Sequence, residues 1–447
     1  WYVGLRARLE DSENTFTFRN YTQNDRRDTA SGNHTDSYHL NLNAGIRWNE
    51  KSALCITALH IDRQQGISPS IGVLPKGEQQ EDVISNYLLK YKYNTSLTKV
   101  ELSTVYMSSA INYDNDSLDL VARHLINSWR TLSGITRKIS SGLDLKFVLS
   151  TEFTEANSDN YIGSKFRTHH ALQSRVVWYR SSRFKADALV RSEAIDDEFF
   201  YLPMLSAEYQ FIRSMPIWLI ANAGKNIRYP TLNELYWEIS GNEDLQAQEA
   251  ITLEAGIRKD EFADSRWTAG INTFHSIVDN WILWQPQGNI WVPENVRQVR
   301  SWGVESRLGM VLTKGKWQQQ FNVNYNFVKS EVLKSYIDNE HAIGKQLMYT
   351  PVHNFSANWR STGSYGYLIG RLNYNGKMYI NPENTAYVPH AAPVDIAIGK
   401  NWKWQDQYLV NIQFTCHNAL DEEIQYVAHR TLPGRYFSID LMIGYER

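Results

Sequence analysis

A chain of 447 residues with a formal net charge of −2 is too long for one ordinary sandwich and suits a single large barrel. It has no long like-charge run, which excludes the usual electrostatic footprint of a nucleic-acid binder. No apolar run approaches the roughly 18 residues of a membrane helix. Aromatics reach 13%, with 26 Tyr and 15 Trp, a surplus that suits two interfacial girdles.

The chain opens on WYVGLRARL, already a strand pattern, with no signal peptide, so the natural N-terminus is expected to lie upstream. A polar loop over 25–36 follows. Then Tyr38–Trp48, YHLNLNAGIRW, alternates strictly: Tyr38, Leu40, Leu42, Ala44, Ile46 and Trp48 on one face, and His39, Asn41, Asn43, Gly45 and Arg47 on the other. Period two is the signature of a strand. Ten steps make about 33 Å of strand, which at a tilt of about 40° rises about 25 Å, the height of the apolar band of an outer-membrane barrel. Tyr38 and Trp48 then sit at the two interfaces. The pattern returns at Ile251–Arg258, Gln320–Phe327 and Tyr408–His417, with Leu409 as an exception. Asn and Gln ladders on the polar face suit a wet lumen, because buried amides need partners.

Short turn signals fall near 11 (EDSEN), 50, 95, 138, 181, 214, 263, 314, 362 and 405. Longer loops, often rich in aromatics, cover 25–35, 64–80, 229–247, 286–294, 331–349 and 380–390. Short turns at one end and long loops at the other are the asymmetry of a transmembrane antiparallel β-barrel. The turns give about 21 visible strands, and an even count makes about 22 the simplest completion. A β-propeller shares the repeat of about 45 residues but needs four short strands per blade. The reading is a single transmembrane β-barrel domain over 1–447. Cys55 and Cys416 read as small apolar residues on greasy strand faces.

The most specific text is Ala221–Ile257, ANAGKNIRYPTLNELYWEISGNEDLQAQEAITLEAGI. Arg228–Tyr229–Pro230 closes a strand. Gly241–Asn242, Leu245 and Gln248–Glu249 precede the next, which carries Glu254. Downstream come FHSIVDNWILW (274–284), NVRQVRSWGVES (295–306), and Asn418–Ala419–Leu420–Asp421–Glu422 with Tyr426 and Leu432–Pro433–Gly434–Arg435. In this order they resemble the TonB-dependent receptors of the Gram-negative outer membrane. The match departs at Tyr229, where the family usually has Ala, and at Gln248, often Pro. The chain ends SIDLMIGYER, with Glu446 and Arg447 after the aromatic Tyr445 on which the family usually ends.

The resemblance implies a bacterial outer-membrane location and active import without covalent chemistry, so a transporter rather than an enzyme. It implies an N-terminal plug domain, missing from these residues, through which TonB with ExbB and ExbD would act. The expected partners are outer-membrane lipid and a small metal-chelate ligand. The loops are short, which argues against the larger glycan importers that work with a surface lipoprotein lid, although a surface lipoprotein stays open as a partner. Cobalamin ranks ahead of a ferric siderophore and haem, and a passive porin-like barrel is the other class. Haem is disfavoured because 229–247 contains no His.

Candidate ligand anchors on the loops are Tyr229, Tyr236, Trp237, Trp284, Trp291, Tyr336, Tyr379 and Tyr387, since aromatics give contact area at low entropy cost. Inward Glu254, Arg258 and Glu305 read as a lumen network facing the plug, not as a hydrolytic carboxylate pair. No cofactor is expected, apart from a structural Ca²⁺ held by Asp25, Asp28 and Asp36, hard oxygen ligands where a cobalamin receptor orders its loops with calcium. His39, His60 and His275 read as lumen hydrogen-bonders on strands, and His341, His353 and His390 belong to the loop side.

Overall fold

The computed structural model describes residues 1–20, 26–67, 71–72, 77–115, 120–261, 266–287, 290–336, 340–404 and 407–445. Among the described residues, twenty long strands pair antiparallel with their neighbours in chain order, from Tyr2–Ser12 to Tyr436–Tyr445. They form one barrel wall with three two-stranded hairpins on the loops. Within the wall, tight links such as Arg47 to Ser52, Ser181 to Phe184 and Lys314 to Trp317 all lie at one end.

Register assigns the faces. Leu42 pairs with Leu5 and Ala58, while Asn41 pairs with Arg6 and Leu59. Leu40, Leu42 and Ile46 are exposed, whereas Asn41 and Asn43 are half-buried against their neighbours. Apolar side chains outside and amides inside is the arrangement of a wall between lipid and a wet lumen. Rings mark both edges of the outer face. Tyr87 stacks on Tyr106 with Trp129 beside them at one edge; Trp48 and Tyr91, Trp178, Trp267 and Trp317 lie at the other. The tightest hydrophobic packing lies partly in the long loops, where Leu235, Leu245 and Ile282 form a buried cluster.

Three expectations change. EDSEN is a real turn signal, but it does not join two barrel strands. Glu10–Ser12 completes Tyr2–Ser12, and Asn14, at φ 48°, starts the first long loop, where its amide reaches Asn33 O at 3.1 Å and Thr35 Oγ1 at 3.0 Å. The loop then folds on itself as the hairpin Phe16–Asn20 with Arg26–Ala30, and the count falls to twenty. Second, 286–294 is not an open loop. Trp267–Gln287 and Ile290–Lys314 continue pairing far past Trp302, with Trp284 opposite Pro293. The second of these strands has 25 residues, about 80 Å of chain, well beyond a membrane. Third, both cysteines are free, but only Cys416 is on the outer face; Cys55 pairs with Gly45 on the lumen side, 3.6 Å from the Tyr2 hydroxyl.

Candidate functional site

The loop from Tyr229 to Gln246 is the most tightly built feature at the long-loop end. Pro230 ends the strand Ile217–Arg228, since it has no N–H to give the ladder. Thr231 caps the short helix Leu232–Tyr236 in a capping box with Glu234. The Glu234 carboxylate accepts from Thr231 N at 2.8 Å and from Arg228 Nη2 at 2.7 Å, and only 6% of the residue is exposed. Gly241 returns the chain so closely that a Cβ there would stand 2.5 Å from Trp237 N and 2.6 Å from Leu235 O. The loop is then tied to the tall hairpin. Asn242 Nδ2 donates to Pro293 O at 3.0 Å, Asn295 Nδ2 to Gln246 O at 3.0 Å, and Gln246 N to Asn295 Oδ1 at 2.8 Å.

Four of the eight expected anchors meet here. Tyr229 and Tyr236 pack against Leu235, Leu245 and Ile282, and Trp237 meets Trp284 edge to face at 6.4 Å. Two cations complete the group: the Arg167 guanidinium lies 4.7 Å from the Tyr229 ring centre and the Lys165 ammonium 4.5 Å from that of Tyr236. The Tyr229 hydroxyl donates to Glu198 at 3.3 Å. Burial, and then the Glu198 and Asp196 carboxylates, push the Tyr229 phenol up to about 12 against the pull of Arg167. Tyr236 is raised for the same reasons, with burial first and then Glu243 and Asp196. Lys165 and Arg167 carry no mark in the sequence, because no local pattern links them to rings more than sixty positions away.

The other anchors lie apart. Trp291 is exposed near the top of the tall hairpin. Tyr336 is exposed, and its N–H bonds Val296 O at 2.8 Å. Tyr379 and Tyr387 face each other on a small hairpin, with Lys377 Nζ 5.0 and 5.4 Å from their ring centres. Gln346 and Asn384 fasten that hairpin to the preceding loop by reciprocal bonds of 2.8 and 2.9 Å.

Glu254, Arg258 and Glu305 do come together, on one polar recess of about 450 Å³ in the lumen wall. Asn222 donates to Glu254 at 3.1 Å, and Arg258 reaches Glu208 at 3.3 Å and Asp260 at 3.0 Å. Of the three acidic loop residues, Asp28 and Asp36 stand on different elements. Asp25 lies outside the described residues. Asp28 is held by the Asn20 amide at 3.1 Å and by Arg26 at 3.7 Å, and Asp36 stands on a barrel strand opposite Asp11 and Gln64. Among the described residues no group of three or more His, Cys, Asp or Glu is placed to hold a metal ion. His60 and His275 are on the outer face and not in the lumen, His60 3.1 Å from the Tyr38 hydroxyl and His275 opposite Leu253 and Trp302. His353 starts a strand, bonded to the Tyr325 hydroxyl at 2.9 Å and packed against Phe327, while His390 lies beside Tyr374.

Known proteins place this architecture. Over 337 residues, 68% of this chain, it is 23% identical to a protein named vitamin B12 transporter BtuB from Photobacterium profundum, and it spans about half (52%) of that relative's length. The fold superposes on the FrpB iron transporter of Neisseria meningitidis with a TM-score of 0.76 at 13% identity, covering 99% of this chain and 76% of that one. It superposes on the ferric yersiniabactin uptake receptor FyuA of Yersinia pestis with a TM-score of 0.70 at 14% identity, covering 99% and 73%. At such identities the solved structures speak for the fold alone. The family model described as TonB dependent receptor-like, beta-barrel matches residues 2–419, and the chain belongs to that family, whose members are outer-membrane β-barrel receptors rather than enzymes.

Proposed function

We propose that this barrel serves TonB-dependent import of a scarce, chelate-sized ligand across the outer membrane, with cobalamin as the ligand. One observation carries the reading: Tyr229, Tyr236, Trp237 and Trp284 stand as rigid anchors on a loop fastened over the mouth of a polar lumen. Large rings held in place before binding lose little entropy on contact. The platform's position at the end of the long loops is the extracellular one. In this reading a plug fills the lumen against the network of Glu254, Arg258 and Glu305, and TonB, driven through ExbB and ExbD, pulls on it to open a path. The curated relatives named for vitamin B12 favour cobalamin; a ferric siderophore is the second reading, favoured by the Arg167–Tyr229 and Lys165–Tyr236 pairs, which present cations to an anionic chelate.

The test is equilibrium binding of cyanocobalamin to the receptor purified in detergent from outer membranes, with haem and a ferric siderophore as competitors. Tight binding that resists both competitors is the expected outcome. Binding of a competitor alone overturns cobalamin and retains import; binding of none refutes the receptor reading.

A further inference from the structure

The lipid-facing side of the wall ends in unlike rims. On the strand Ile290–Lys314 the outward residues climb through Leu312, Met310, Leu308, Ser306 and Val304 to Trp302. Ten steps make about 33 Å of strand, which at a barrel tilt of about 40° rises about 25 Å, the height of the apolar band. Trp302 therefore stands at the upper boundary of the lipid. Phe327 meets it edge to face at 5.3 Å, and His353 packs on Phe327 at 5.4 Å. Rings at this level favour the interface.

Charge begins where the rings end. Lys329 lies opposite Trp302, and Arg300, the next outward residue above it, lies opposite Glu331. Glu331 is only 4% exposed, and its carboxylate accepts from Arg300 Nη2 and from Lys329 Nζ, the latter at 2.7 Å. It fixes the two cations side by side, yet one carboxylate balances only one of them. The Arg300 and Lys329 side chains stay 38% and 42% exposed, with N–H donors to spare. The exposed Lys334 follows one step higher, opposite Gln298. The nearby outward carboxylates are engaged, Glu249 with Lys225 at 2.8 Å and Asp279 with the Gln298 amide at 2.6 Å. The rim near Tyr38 is the opposite in sign, with Asp11 facing Asp36 and Asp62 beside Tyr38. An anion is thus repelled from that rim and drawn to this one. Paired cations in fixed positions suit phosphate oxygens, and basic groups beside a membrane attract anionic headgroups.

We propose that Arg300 and Lys329, held by Glu331 above the rings of Trp302, Phe327 and His353, bind the phosphate of an outer-leaflet glycolipid whose acyl chains lie along the apolar face below. A lipid is the occupant because the cations adjoin the apolar band and face away from the lumen. The site is therefore independent of what the barrel imports.

The test is native mass spectrometry of the full receptor, purified in detergent from outer membranes and titrated with bis-phosphorylated lipid A or with the same lipid stripped of its phosphates. The variants are Arg300→Gln, Lys329→Gln, the two together, and Lys225→Gln, which removes a cation on the same row of the wall that Glu249 already balances. Each unbalanced cation should contribute about fivefold to affinity. Expected are a loss of about fivefold in either single variant and about 25-fold in the pair, and wild-type affinity in Lys225→Gln. The stripped lipid should bind the wild type about 25-fold more weakly than lipid A. Equal affinity for the two lipids, or a loss in Lys225→Gln as large as in Lys329→Gln, overturns the site. Displacement of lipid A by an excess of inorganic phosphate also overturns it, since the site would then hold a free anion. Folding is read by the gel shift on boiling. If Arg300→Gln fails to fold because Glu331 loses its partner, Lys329→Gln, on an exposed side chain, carries the test alone, and unchanged lipid A affinity there overturns the proposal.

Discussion

Removing the carboxylate of Glu234 should loosen the platform without disturbing the barrel. That carboxylate is buried and accepts from Thr231 N, from Thr231 Oγ1 at 3.1 Å and from Arg228. Loss of the reciprocal cap costs about 1 kcal/mol. The Arg228 side chain is 45% exposed, so its pairing adds no more than about 1 kcal/mol. Glu234→Ala should therefore cost about 2 kcal/mol locally, a loss of hydrogen-exchange protection of up to about 30-fold. Glu234→Gln keeps an amide able to close the capping box and loses only the ion pair, so it should lose about fivefold. Hydrogen exchange read by mass spectrometry on peptides covering 229–247, with peptides from Thr98–Asn115 as the internal reference, measures both. Equal protection in wild type and Glu234→Ala would refute the capping argument, and equal damage from Ala and Gln would move the whole effect to Arg228.

Leu42→Arg puts a charge on the lipid face and should destabilise the folded barrel by about 2–4 kcal/mol, whereas Asn41→Arg points into the lumen and should be tolerated; urea unfolding in lipid vesicles, followed by tryptophan fluorescence, compares them, and equal losses would reverse the face assignment. Tyr229 should be among the last phenols to ionise, near pH 12. Because its pKa in the folded loop lies above the ordinary value of 10, the ordered loop is fully favoured below pH 10 and loses support as the pH climbs towards 12. The absorbance of phenolate against pH should lose this late component in Tyr229→Phe, and an unchanged titration would exclude the assignment. Trp284→Ala removes the edge-to-face partner of Trp237 and should weaken ligand binding about tenfold at constant barrel stability, as loss of a buried aromatic anchor does; wild-type affinity would remove the platform from the site.

Much of the wall was legible because a strand exposed to lipid on one face and water on the other writes its geometry into every second residue. The platform loop was legible as text, since Pro, a capping Thr and a close-approach Gly each leave a local mark. The features that escaped depend on partners distant in the chain. Residues 53–59, ALCITAL, are apolar or small on both faces, so only the pairing with Tyr38–Arg47 decides that Cys55 faces inward. The EDSEN turn is chemically sound; whether it leads into a strand of the wall or a hairpin of the loop depends on where Tyr2–Ser12 finds its partner. The tall hairpin reads as a loop in the sequence because polar residues and Pro286 interrupt its period, yet its pairing continues beyond them. Arg167 and Lys165 become part of the site only when the wall brings them beneath the rings.

The tall hairpin also has a mechanical consequence. A paired strand is stiff along its length and yields where the ladder skips a residue. Here the ladder skips between Val278 and Trp281, where Asn280 sits at φ 56°, and again at Gln298–Val299 on the adjoining strand, at the same height. The ladder skips once more between Trp281 and Ile282, opposite Arg297 and Asn295, and above that level the chain from Asn295 to Ile290 is a rod of about 17 Å, so a tilt of about 10° carries its tip roughly 3 Å. The brace against that tilt is the group of amide bonds joining Gln246 to Asn280 and Asn295. The top of this hairpin would therefore lean as a single piece, and the loop bearing the aromatic anchors is the stay that holds it upright.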